Sequence, residues 1–121
     1  MSHLVTIKSE ISDVAAVRAA CARLKLESPV EGEHIVYQRK VRGLGVKLSG
    51  WTFPVVCHTE SGAVDYDNYN GAWGSEGELN KFKQAYAVEK AKIEARKAGH
   101  LVTETAMPSG KIKLTLSVMG A

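Results

Sequence analysis

Apolar and polar residues alternate near the start of the chain. Val5, Ile7 and Ile11 are set against Thr6, Lys8 and Glu10, the period of a strand that buries one face. The period then changes. After Ser12 and Asp13, which offer an N-cap, Val14, Val17, Cys21 and Leu24 recur at helical spacing, and alanines fill the same flank. A short helix laid on a sheet is predicted there, broken by Pro29 and Gly32 in ESPVEGE. Three strand-like pieces follow. Ile35 and Tyr37 alternate in HIVYQRK, Leu44, Val46 and Leu48 in GLGVKLSG, and Phe53, Val55 and Cys57 in FPVVCH. TESG is a hairpin signal, and AVDYD returns from it.

Ser75 and Glu78 have capping-box spacing, S-x-x-E, and the helix they start is expected to run to about Ala98, where Gly99 supplies the stop. Leu79, Phe82, Tyr86 and Ile93 mark its apolar stripe. Glu89 with Lys92, and Glu94 with Lys97, are spaced as ion pairs on its surface. Finally LVTETA and KIKLTLSV flank the turn MPSG. Ile112, Leu114, Leu116 and Val118 alternate without a fault, which predicts four aliphatics on the core side of a closing strand. The order is β-α-β-β-β-β-α-β-β. Hairpins dominate it, so the predicted class is α+β, an antiparallel sheet with two helices packed on one face.

Length and composition narrow the picture. The 121 residues suit a single domain, 1–121, able to bury a core without staples. A net charge of +3 is mildly basic; it permits an anionic partner without pointing to nucleic acid. Cys21 and Cys57 form no spacing motif and sit among apolar residues, as free thiols of a reducing compartment do. No apolar run approaches a membrane span, and MSHLVTIKSE lacks the charged and apolar regions of a signal peptide. A cytoplasmic protein with no membrane contact is expected.

The densest chemistry lies in DYDNYNGAWG, Asp65 to Gly74. Counted from Asp65 as a calcium loop, Asp67 and Glu76 fall at ligand positions three and twelve. Tyr69 stands at five, however, and Gly71 comes one place late for the sharp turn. The stretch reads instead as a turn at Asn70-Gly71 before the Ser75 cap, with Asp67, Asn68, Tyr69 and Trp73 as a candidate ligand or partner surface. Arg39 and Arg42, together with Lys40 and the lysines of the second helix, could add a cationic ledge. RGLGVKLSG lacks the GK[ST] of a phosphate loop and opens no helix, so it reads as a bulged strand. The four histidines are scattered, and Cys57 and His58, as strand neighbours, point to opposite faces. No serine sits in a nucleophile-elbow context. The residues therefore call for no cofactor, no metal and no catalytic set, and an enzyme is the least favoured reading.

Three blocks carry a family resemblance: MSH followed by VTIKSEI, GWTFPVVCHTESGAVDYDNYNGAWG, and QAYAVEKAKIEARKAGHLVTE with GKIKLTLSV. Together they resemble the hypothetical chloroplast reading frame thirty-five family, a group of unknown function found in plastids, cyanobacteria, other bacteria and phages. The resemblance implies a small intracellular protein and supplies no catalytic residues. Ring-forming ATPases are frequent genomic neighbours in that family, which implies a protein partner. The resulting expectation is a non-catalytic binding module acting through a protein partner or as a homo-oligomer. The alternative is a sponge or sensor for an anionic, nucleotide-like small molecule, with an anti-defence role in phages.

Overall fold

The computed structural model describes residues 4–118. Met1–His3, which carry the MSH start of the resemblance, lie outside the described residues. Strand β1 (Val5–Ile7) leads to helix α1 (Val14–Arg23), then β2 (Val30–Val36), β3 (Arg39–Val46), β4 (Val55–His58) and β5 (Ala63–Tyr66). Helix α2 (Glu76–Lys97) and the hairpin of β6 (His100–Ala106) and β7 (Ile112–Val118) complete the chain. The observed order of strands and helices is the predicted one. Five strands form an antiparallel sheet in the order β1-β5-β4-β3-β2.

Local chemistry sets the element ends. The Asp13 carboxylate accepts from Ala16 N at 3.2 Å and caps α1, while Ser75 Oγ accepts from Glu78 N at 3.2 Å and caps α2. Gly99, at φ 81°, ends α2 as expected. Helix α1 stops earlier than ESPVEGE. Lys25 adopts φ 59°, and Leu26 N donates back to Cys21 O at 2.8 Å, the geometry of a left-handed helix stop built without glycine. Strand β2 accordingly begins right after Pro29 and runs through Gly32, residues expected to interrupt the chain. Tyr37 and Gln38, expected inside a strand, form the tight turn between β2 and β3.

Both helices cover one face of the five-stranded sheet. Small residues on α1 (Ala16, Val17, Ala20 and Cys21) meet Leu79, Phe82, Ala85 and Tyr86 of α2 over Leu44, Val46, Val55, Cys57 and Val64. The Tyr86 phenol ties this layer to the β1–α1 connection: its oxygen accepts from Ser12 N and Asp13 N and donates to Glu10 O at 3.2 Å. A second, smaller cluster of Val36, Val41 and Val56, with Leu4 and Phe53 packed against it, lies on the opposite face.

The terminal hairpin departs from expectation. Strands β6 and β7 pair only with each other and lie along α2 as a two-stranded ribbon. Gln84 Nε2 reaches Gly110 O in the ribbon turn at 3.1 Å, and Val88 and Ala95, at helical spacing on that flank, are buried outside the main cluster. Ile112 and Leu114 are only half-buried, and Leu116 and Val118 remain 52% and 68% exposed. The four aliphatics share one face, as their alternation requires, but they do not all reach a core.

Charge holds the ribbon to the helices. Glu104 receives Arg23 in a two-pronged contact and Lys92 Nζ at 2.7 Å, so its carboxyl titrates at about 2 instead of 4.5. Its folded value is depressed, so this stabilisation is complete above about pH 5. It is lost as the pH falls from there towards 2. Glu104→Gln should therefore lower the melting temperature by a few degrees at neutral pH, in line with roughly 0.5–1 kcal/mol for a partly exposed charge network. Melting curves of the two proteins should converge near pH 2. A constant difference from pH 7 to pH 2 would remove the ion pairs from the account.

Candidate functional site

The face of the sheet away from the helices is defined by register. Val56 pairs with Gly45 on one side and Asp65 on the other, and Thr6 follows across β1. These positions share the outer face with Val36, Val41 and Arg39. At one end of this face the β2–β3 turn, the segment before β4 and the loop after β5 bring four aromatic rings together. Trp73 is at the centre, with Tyr69 at 4.8 Å, Tyr37 at 5.0 Å and Phe53 at 5.4 Å between ring centroids. Such tilted and edge-on arrangements are the favoured geometry for aromatic rings. Tyr37 and Tyr69 are 42% and 40% exposed and form the rim, whereas Trp73 is half-buried.

The loop that presents these rings is built from its own polar groups. Asp67 Oδ1 accepts from Tyr69 N at 3.1 Å, and Asn68 Nδ2 donates to Gly74 O at 3.1 Å. The Asn68 carbonyl accepts from Gly71 N and Trp73 N. Asp67 and Asn68 are 4% and 7% exposed, so they hold the loop and do not offer their polar atoms to an outside partner. Two links staple the loop to the preceding segment. Thr52 N donates to Trp73 O at 2.8 Å, and Trp51 Nε1 donates to Ser75 O at 3.0 Å. The Trp51 ring lies so close over Gly74 that a Cβ there would come within 2.3 Å of it.

Backbone geometry at this end is unusual. Among the described residues, four non-glycine positions have positive φ, and three of them are Tyr37, Tyr69 and Asn70. The sequence does not announce this, because tyrosine is a poor choice for a left-handed conformation. Of the two arginines singled out earlier, Arg39 follows Tyr37 across the turn and is exposed on the same outer face. Arg42 is three residues further along the same strand, so its side chain points to the other face. There it lines a hollow of about 320 Å³ with Glu31 and Glu60, and it cannot join Arg39 in one site.

A polar constellation that spacing did not reveal lies further along the outer face. His58 Nε2 meets Asp65 Oδ2 at 2.8 Å, and Thr6 Oγ1 donates to Asp65 Oδ1. The signal was the TESG hairpin itself, whose register puts positions 58 and 65 on the same face. A His–Asp pair is the orienting half of a nucleophilic triad. Here the other ring nitrogen turns towards β3, where a Cβ at Gly43 would sit 3.5 Å from Nδ1, so backbone stands where a nucleophile would be needed. The group works as a clamp across three strands. Cys57 points the other way, into the core.

A groove of about 800 Å³ runs between the β1–α1 connection and α2 past Lys83, Tyr86 and Lys90. Two of its polar groups are committed: the Tyr86 phenol holds the chain at Glu10 to Asp13, and Lys90 is paired with Asp13 and Glu94 at 2.9 Å each. Among the described residues no three His, Cys, Asp or Glu side chains gather as a metal site. No helix among them is long and apolar enough to cross a membrane. No family model, curated protein or solved structure matches this chain.

Proposed function

We propose that this chain is a non-catalytic binding module whose working surface is the aromatic end of the outer face, continued along the open edge of β2. The observation that carries this reading is the coincidence of two left-handed tyrosines, Tyr37 and Tyr69, with a half-exposed aromatic rim. Each such conformation costs on the order of 1–3 kcal/mol and persists where the surroundings over-determine it, most often at sites of recognition. Tyrosine offers broad contact area at little entropic cost. Beside the rim, β2 is an edge strand with Val30 and Ile35 exposed. An extended segment of a protein partner would add to that edge by main-chain hydrogen bonds and seat a side chain against Tyr37 and Tyr69. The family resemblance, carried here as part of the same proposal, also favours a protein partner.

An anionic, nucleotide-like ligand is the competing occupant, since a base could stack on Tyr69 or Tyr37 with Arg39 near its phosphates. A sponge for such a molecule would suit an anti-defence protein of a phage. Native mass spectrometry of the protein purified from its own host separates the two readings, through a second polypeptide or a nucleotide mass. Tyr37→Ala and Tyr69→Ala should each weaken that association by roughly 30-fold, as for an interface anchor worth about 2 kcal/mol. At least one of them should keep its melting temperature within a few degrees of wild type. Retention of the partner by both variants would exclude this surface. Trp73→Ala is less useful, because its ring supports the other three.

A further inference from the structure

Among the described residues, nothing pairs with the outer edge of β7, and part of the ribbon's aliphatic stripe stays exposed. Met107 N donates to Lys111 O at 2.8 Å, so these residues form a hydrogen-bonded pair next to the turn. Antiparallel pairing alternates from there. Positions 113, 115 and 117 of β7 direct their N–H and C=O groups to β6, and Ile112, Leu114, Leu116 and Val118 direct theirs outward. The residues that carry the aliphatic stripe therefore also carry the open edge. Leu116 and Val118 lie on the exposed part of that stripe.

We propose that β7 pairs with β7 of a second copy of this chain, antiparallel and centred on Thr115, to give a four-stranded sheet across the dimer. The strand is self-complementary about that residue. A two-fold axis through Thr115 sets Leu114 against Leu116 of the other copy and Ile112 against Val118, and every one of these is a position with outward N–H and C=O groups. The pairing thus matches donors and acceptors along β7 and joins both aliphatic stripes into one face. Charge permits it as well. Lys113 is the only charged residue between Ile112 and Val118, and it falls opposite Ser117, so no like charges meet.

The helix packed on the ribbon leaves room for such a pairing. Helix α2 lies mainly along β6, the strand away from the proposed axis. With strands about 4.8 Å apart, the two β6 strands would stand roughly 14 Å from each other, enough for two helices on the same face at the usual interaxial distance of about 8–10 Å. Long exposed edges attract further strands, and a second copy would cover this one. This surface is separate from the aromatic end, so the two proposals stand or fall independently.

Sedimentation of the full chain from nanomolar to high micromolar concentration tests this. Wild type should reach twice the 13.1 kDa chain mass. Thr115 points to the polar, solvent-exposed side of the ribbon, so substitutions there leave the α2 contact alone. Thr115→Glu and Thr115→Lys should each remain monomeric, because like charges would face each other at the axis. An equimolar mixture of the two should recover the dimer. Thr115→Cys should form a disulfide between copies under mild oxidation, since the pair at the axis lies within bridging distance. A wild type that stays monomeric throughout, a Thr115→Glu dimer as stable as wild type, or a Thr115→Cys variant that fails to cross-link would overturn the proposal.

Discussion

Phe82→Ala should cost this protein about 3–5 kcal/mol, the usual range for deleting a fully buried aromatic ring. Phe82 has no exposed surface and is the largest side chain so enclosed. It stands in the main cluster, where the partners on α1 are alanines, a valine and a cysteine. Those small side chains cannot extend into the space it leaves, so the cavity should persist. A domain of this size is stabilised by roughly 5–15 kcal/mol in total. The loss would therefore shift the urea midpoint down by about 1.5–3 M at a typical m-value. Phe82→Leu, which keeps much of the volume, should fall well short of that. If alanine and leucine lowered the midpoint equally, the ring would be contributing something other than packing.

Gly62→Ala is expected to lose about 2–4 kcal/mol, from two separable sources. Gly62 closes the β4–β5 turn at φ 83°, where any side chain is strained by roughly 1 kcal/mol. A Cβ would also stand 2.5 Å from Ser9 O and 3.2 Å from Glu10 Cα, both backbone atoms of the β1–α1 connection. That connection cannot simply move aside, because Ile11 N donates to Gly62 O and the Tyr86 phenol holds Glu10 to Asp13. Forcing it away carries the penalty of overpacking, typically about 1–3 kcal/mol. Gly99→Ala supplies the control. Gly99 has nearly the same φ, 81°, but a Cβ there meets nothing within 4 Å. The difference between the two variants in chemical denaturation measures the backbone contact alone, and equal losses would contradict it.

Most of the fold was legible because its signals are local. The Asp13 and Ser75 caps, the Gly99 stop and the TESG hairpin each act within a few residues, so pattern and chemistry agree on them. The misreadings share a different cause. Lys25 ends α1 and Tyr37 turns the chain between β2 and β3 in conformations that glycine or asparagine would normally adopt. The Tyr37 turn is held by the ring of Trp73, and no window along the chain contains both partners. The closing strand shows the converse limit. Its alternation fixed which residues share a face but could not say how much of that face another element would cover. The candidate site was legible as a place, the loop from Asp65 to Trp73, but not as an arrangement. Asp67 and Asn68 turned inward to satisfy backbone groups, and the rim gained Tyr37 from a turn some thirty positions away in sequence.

The two buried cysteines make the molecule its own stopwatch. Cys21 faces the core from α1 and Cys57 from β4, so the joint between the helical layer and the sheet has a thiol on each side. Burial pushes Cys21 up to about 11 and Cys57 to about 12, which leaves almost no thiolate at neutral pH. An alkylating reagent can therefore act only on molecules in which that joint has opened. The rate at which each sulfur acquires a label reads out how often helix and sheet part company, and whether they do so before the chain unravels as a whole.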